Sequence, residues 1–86
     1  MNIDLSNKEF LIRFGERLKK LRLIKKLSYR QMAQRCDLDY SYISKIEKGK
    51  HNIQLSTVLE LSKGLNIKPK ELFDFEFDIK KYKIDM

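Results

Sequence analysis

Tyr40, Ser41, Ser44, Lys45 and Lys48 fall on one side of a short helical repeat once the apolar Ile43 and Ile46 are set inward. None of the five is acidic, and each carries a hydrogen-bond donor. Such a strip can bond to the acceptors on base edges and phosphates, and the rings of Tyr40 and Tyr42 can meet thymine methyls. Covalent and acid–base chemistry have far less to work with. His51 is the only histidine and Cys36 the only cysteine, so no Ser/His/Asp set, internal disulfide or Cys/His zinc site can be assembled. No glycine-rich phosphate loop is present. Asp74, Glu76 and Asp78 alternate with apolar residues and read as the polar side of a tail, not as a cation site. The expectation is a non-enzymatic protein with no metal and no cofactor.

A donor strip is useful only if other elements hold it rigidly outward. In residues 9–26, Phe10, Phe14, Leu18 and Leu21 recur at helical spacing and mark one apolar face. Lys25 and Lys26 follow where the helix dipole favours cations. Ser28 and Gln31 form a capping box, with Leu27 and Met32 placed as a hydrophobic staple, so a short second helix is predicted to about Cys36. Asp37 and Leu38 make a turn. Asp39 is expected to cap a third helix through about Lys48, stapled by Leu38 and Ile43. Gly49 stands where a left-handed helix ending is needed. Ser56 is expected to cap a fourth helix carrying Val58, Leu59, Leu61 and Leu65, closed by Asn66. Pro69 marks the first turn of a fifth short helix to about Asp74. Beyond it, Phe73, Phe75, Phe77 and Ile79 alternate with acidic residues at period two, which suits a short strand, an extended arm or a longer fifth helix.

The 86 residues suffice for one domain, and 42% hydrophobic content suits a globule. The organisation expected is an N-terminal arm over residues 1–8, a helical domain over 9–74 and a tail over 75–86. Three glycines and one proline fit an all-α chain. No run approaches the ~18 apolar residues of a membrane span, and the N-terminus lacks a basic-then-apolar leader pattern. A cytoplasmic protein is expected. The net charge of +7 is unevenly placed: residues 8–50 carry 13 Lys/Arg against 5 Asp/Glu, whereas residues 51–86 carry 6 of each. The positive field belongs to the half that bears the donor strip, and it favours a polyanion.

The stretches LSYRQMA, SYISKIEKGK and LSTVLELSKGLNIKPKELF, in this order and closely connected, resemble the Cro and lambda-repressor (XRE) type helix-turn-helix domain. The resemblance covers about residues 14–73. The segment YISKIEKGKHN, followed by a helix and an aromatic tail, is also similar to controller proteins of restriction–modification systems. The resemblance implies a compact five-helix DNA-binding domain, here with a short C-terminal extension, whose third helix enters the major groove. By position, Asp39, Tyr40, Ser41, Ser44 and Lys45 would read bases. Ser28, Tyr29, Arg30, Tyr42, Lys48, Lys50 and His51 would hold phosphates. Arg22 and Glu47 match a structural ion pair tying the first helix to the third. The chain departs from the family at two turns, with Cys36-Asp37 where a glycine is common between the two helices and Lys26 where one precedes "LS"; both places would be strained.

One recognition helix reads few base pairs, so double-stranded DNA would be bound by a homodimer on a pseudo-palindrome. The dimer contact is expected from Leu65, Ile67, Leu72, Phe73, Phe75 and Phe77, because the C-terminal region holds more apolar residues than a monomer's core requires. The alternative is a protein-interaction module, such as an antitoxin, whose tail grips a partner protein.

Overall fold

The computed structural model describes residues 3–82, and all its regular elements are helical. Four α-helices run in the order α1 (Ile3–Ile24), α2 (Tyr29–Ala33), α3 (Tyr40–Glu47) and α4 (Leu55–Leu65), followed by 3-10 turns at Pro69–Phe73 and Ile79–Tyr82. The expected fifth helix is thus the first 3-10 turn. The period-two tail forms no strand among the described residues, because an extended segment needs a neighbouring strand to take its backbone bonds. Residues 3–8, expected as an arm, continue α1 instead. Residues 1–2 of that arm and 83–86 of the expected tail lie outside the described residues.

The core follows the apolar periodicities. Phe14, Leu18 and Leu21 of α1 meet Leu27, Met32, Ile43, Ile46, Val58, Leu61, Leu65 and Leu72 in one cluster. Leu59 does not join it and is half exposed. Gly15 is the point of closest approach between α1 and α3: a Cβ built there would lie 2.4 Å from the Glu47 carbonyl oxygen and 2.6 Å from that of Ile46. The two main chains therefore pack directly against each other.

Phe10 faces the tail and not the core. Its ring lies 5.5 Å from that of Phe75 and 5.2 Å from that of Phe77, and Phe14 lies 5.3 Å from Phe73. The segment after α4 thus folds back along the middle of α1, aided by Arg17, whose Nε donates to the Glu71 carbonyl at 2.8 Å.

Helices α1, α3 and α4 end alike. Leu27, Lys50 and Ile67 each donate their amide back to the carbonyl five residues earlier, while Lys26, Gly49 and Asn66 donate three residues back. Lys26, Gly49 and Asn66 have φ of 57°, 72° and 56°. This is the Schellman ending, whose left-handed residue is cheapest as glycine or asparagine. Strain is located at Lys26, as expected from the sequence. It is absent at Cys36-Asp37, where neither residue has a positive φ.

Candidate nucleic-acid interface

The two short helices are set by local chemistry. Ser28 Oγ accepts the Gln31 amide at 3.1 Å, and Gln31 Oε1 accepts the Ser28 amide at 2.8 Å, completing the capping box at α2. Helix α2 stops at Ala33, short of Cys36. Cys36 is half-buried, its thiol directed at the Met32 carbonyl, and burial pushes that thiol above its ordinary pKa.

Asp39 occupies the N-cap position of α3 in extended conformation, but its side chain makes no cap bond. Its carboxylate instead accepts the hydroxyl proton of Ser41. The sequence expectation of a capping Asp39 is therefore corrected, and so is that of Ser56. Helix α4 begins at Leu55 with Gln54 in the cap position, leaving Ser56 inside the first turn.

Arg22 and Glu47 form the expected pair. Arg22 Nε donates to Glu47 Oε2 at 2.6 Å and Nη2 to Oε1 at 3.3 Å, with both residues 7% exposed. Arg22 Nη1 also donates to the Leu27 carbonyl at 2.8 Å, so one guanidinium ties α1, the α1–α2 turn and α3 together. The hydrogen bond to Glu47, opposed by desolvation, raises the Arg22 pKa further.

Tyr29 joins the same cluster. Its hydroxyl donates to Glu47 Oε1 at 2.8 Å, and the Arg22 guanidinium lies 4.0 Å above its ring. Burial, then the bond to Glu47, raises the pKa of this phenol. Tyr29, expected from the resemblance to hold a phosphate, spends its one donor on Glu47 in this structure.

On the outer face, Tyr40, Ser41, Lys45, Lys48 and Lys50 are exposed, while Ser44, Tyr42 and His51 are half-buried. Arg30 sits 4.7 Å over the Tyr40 ring, so α2 delivers its cation beside the first turn of α3. Tyr42 and His51 pack ring against ring at 5.3 Å. The face is chemically divided. With the Ser41 proton committed to Asp39, that corner offers acceptors suited to base amino groups, whereas Lys45 and Arg30 offer donors suited to guanine or phosphate.

The expected dimer residues separate. Leu65 and Leu72 are 0% exposed and belong to the protomer's own core, so they cannot form a surface contact. Phe75 and Phe77 are half-buried against Phe10; Ile67 is half-buried and Phe73 is 44% exposed. Two supporting residues escaped sequence reasoning. Glu60 of α4 accepts the Asp37 amide at 2.8 Å and so braces the turn between α2 and α3; only its spacing to Lys63 was visible in the chain. Gly15, a residue of low helix propensity inside α1, is where α3 docks. Among the described residues no cluster of three or more potential metal ligands occurs, and no helix is long and apolar enough to cross a membrane.

A helix-turn-helix family model matches residues 18–72, the span from mid-α1 through the first 3-10 turn. The chain belongs to the helix-turn-helix family. This helix-turn-helix protein is 41% identical over 63 residues to control protein C.BamHI of Bacillus amyloliquefaciens, covering 72% of this chain and 78% of that one. The crystal structure of the restriction–modification controller protein C.AhdI from Aeromonas hydrophila is similar at a TM-score of 0.70 and 43% identity, over 73% of this chain and 96% of that one. The controller protein C.Esp1396I, solved as a tetramer in complex with its natural 35 base-pair operator, is similar at a TM-score of 0.70 and 29% identity, over 76% and 86%.

Proposed function

We propose that this helix-turn-helix protein is a sequence-specific, DNA-binding transcriptional regulator of the restriction–modification controller kind. It reads a pseudo-palindromic operator through the major groove as a homodimer, and it acts in the cytoplasm, without catalysis. The observation that carries this reading is the outward face of α3: Tyr40 and Lys45 stand exposed beside Arg30, while the helix behind them is anchored by the buried Arg22–Glu47 pair. Phe75 and Phe77 of the tail pack on Phe10 of α1 and not on that face. The relatives named control proteins, one of them in complex with its operator, support the same reading.

Base contacts fall to Tyr40, Ser44 and Lys45, with Asp39 and Ser41 acting as a coupled acceptor pair. Phosphate contacts fall to Ser28, Arg30, Tyr42, Lys48, Lys50 and His51. Two protomers place their α3 helices roughly 34 Å apart on the duplex. The dimer surface is formed by Ile67 and Phe73, joined by Leu55 and Leu59, which α4 leaves 84% and 51% exposed one turn apart.

Selection of bound sites from random duplexes should return a palindrome. Lys45→Ala should relax base preference at one position and cost about 1–3 kcal/mol, while Arg30→Ala should weaken all sequences alike. With about four or five phosphates held per protomer, log affinity should fall with log salt at a slope near −8. Equal losses on operator and random DNA for both variants would overturn the assignment of α3 as the reading helix.

A further inference from the structure

Helix α1 begins at Ile3, some four turns before the family match starts at residue 18. The first of those turns bury little: Leu5 is 53% exposed and Ile12 41% exposed, so packing in the core does not account for them. They do run past the end of α3. A Cβ added at Gly49 would lie 2.8 Å from the Ile12 Cα, which places the α1 main chain directly against the residue that closes the recognition helix. Between them lies an open groove of about 490 Å³ lined by Leu5, Asn7, Lys8, Leu11, Ile12, Lys48, Gly49 and Lys50.

Three of these residues are lysines and none is acidic. Lys8, Lys48 and Lys50 make no ion pair among the described residues. Lys8 precedes Ile12 by one helical turn and so comes alongside the two lysines that flank Gly49. A lysine rim with no acid among its described residues, above an apolar floor, matches the two faces of a sugar–phosphate backbone: anionic oxygens for the ammonium groups and deoxyribose C–H edges for Leu5 and Ile12. With α3 in the major groove, its C-terminal end meets the backbone wall.

We infer that Lys8 completes, with Lys48 and Lys50, a groove that grips the DNA backbone, so that α1 before the family-matched region is part of the DNA-binding surface. This rests on the α3 docking proposed above. Lys8 reads no base; it adds one sequence-independent phosphate contact per protomer.

The test uses the full chain, a duplex obtained by site selection and a scrambled duplex of equal length, with binding followed by fluorescence anisotropy across a salt series. Lys8→Ala should lower affinity by the same factor on both duplexes and make the log–log salt slope shallower by about two per dimer. Lys8→Arg should restore both, and Lys70→Ala, which alters a lysine in the first 3-10 turn, should leave both unchanged. The inference is overturned if Lys8→Ala binds like the parent while Lys48→Ala and Lys50→Ala bind more weakly. It is overturned equally if the loss is confined to the selected duplex, or if Lys70→Ala matches it. If Lys45→Ala, Lys48→Ala and Lys8→Ala all leave binding intact, the docking of α3 itself fails. Lys8 is exposed, so folding is not at stake in these variants.

Discussion

The two halves of α1 are held by different kinds of contact. The C-terminal half is fixed by a buried guanidinium–carboxylate pair, a phenol bonded to the same carboxylate, and main-chain packing at Gly15. The N-terminal half is held by ring edges against the tail and by a solvent-facing ion pair, Lys81–Glu9 at 3.8 Å. Exposed pairs contribute little, commonly ~0–1 kcal/mol, because water screens them. A buried pair is costly to break from one side, since the remaining charge stays desolvated. The contrast separates what sets the angle of α3 from what only covers apolar surface.

Four substitutions probe that contrast, the largest effect first. Glu47→Ala should destabilise by about 3–5 kcal/mol, because it strands Arg22 and removes the acceptor of Tyr29. In so small a domain this approaches the whole stability. Urea unfolding would measure it, and a double Arg22→Met, Glu47→Met variant should recover part of the loss. Gly15→Ala should cost toward the upper end of about 1–3 kcal/mol, since the new methyl meets carbonyl oxygens of α3 that cannot swing aside. Operator affinity should fall with it, as α3 is tilted.

Tyr29→Phe should cost about 1–2 kcal/mol for the lost bond to a charged acceptor. It also carries a pH signature. Burial and Glu47 raise the Tyr29 pKa in the folded state, so this stabilisation is complete below the ordinary phenol value near ~10 and is lost as pH climbs through the raised one. The stability difference between parent and variant should therefore shrink on the alkaline side and stay flat below it. Phe75→Ala should cost only about 1 kcal/mol by thermal unfolding, with operator affinity unchanged. A loss as large as that of Glu47→Ala would abolish the distinction between the two halves.

What could be read from the chain alone follows the same division. The helical periodicity of Phe14, Leu18 and Leu21, the Ser28–Gln31 box, and the endings at Gly49 and Asn66 are local rules written in a few adjacent residues, and all are present. The Arg22–Glu47 tie was implied only by family resemblance, because nothing local joins residues twenty-five positions apart. Asp39 and Ser56 showed that a good capping residue is used only when no competing bond or earlier helix start intervenes. Apolar content, which places Leu65 and Leu72 among the expected dimer residues, measures how much surface must be buried but not against what, and both lie in the protomer's own core. The alternation of residues 73–79 carries no information about a partner: Phe75 and Phe77 meet Phe10 of α1, Phe73 meets Phe14, and Ile79 stays exposed.

The left-handed stops at residues 26 and 49 bracket the whole recognition unit. Each stop is tied to fixed positions on the preceding helix, so the number of residues between them is as constrained as their identity. One residue inserted or removed within α3 ahead of Glu47 would rotate the side chains after it in that helix by about 100° around the helix axis and carry Glu47 away from Arg22. Length variation in related chains should therefore collect in the loop at residues 51–54 and beyond Phe73, where neither stop is disturbed.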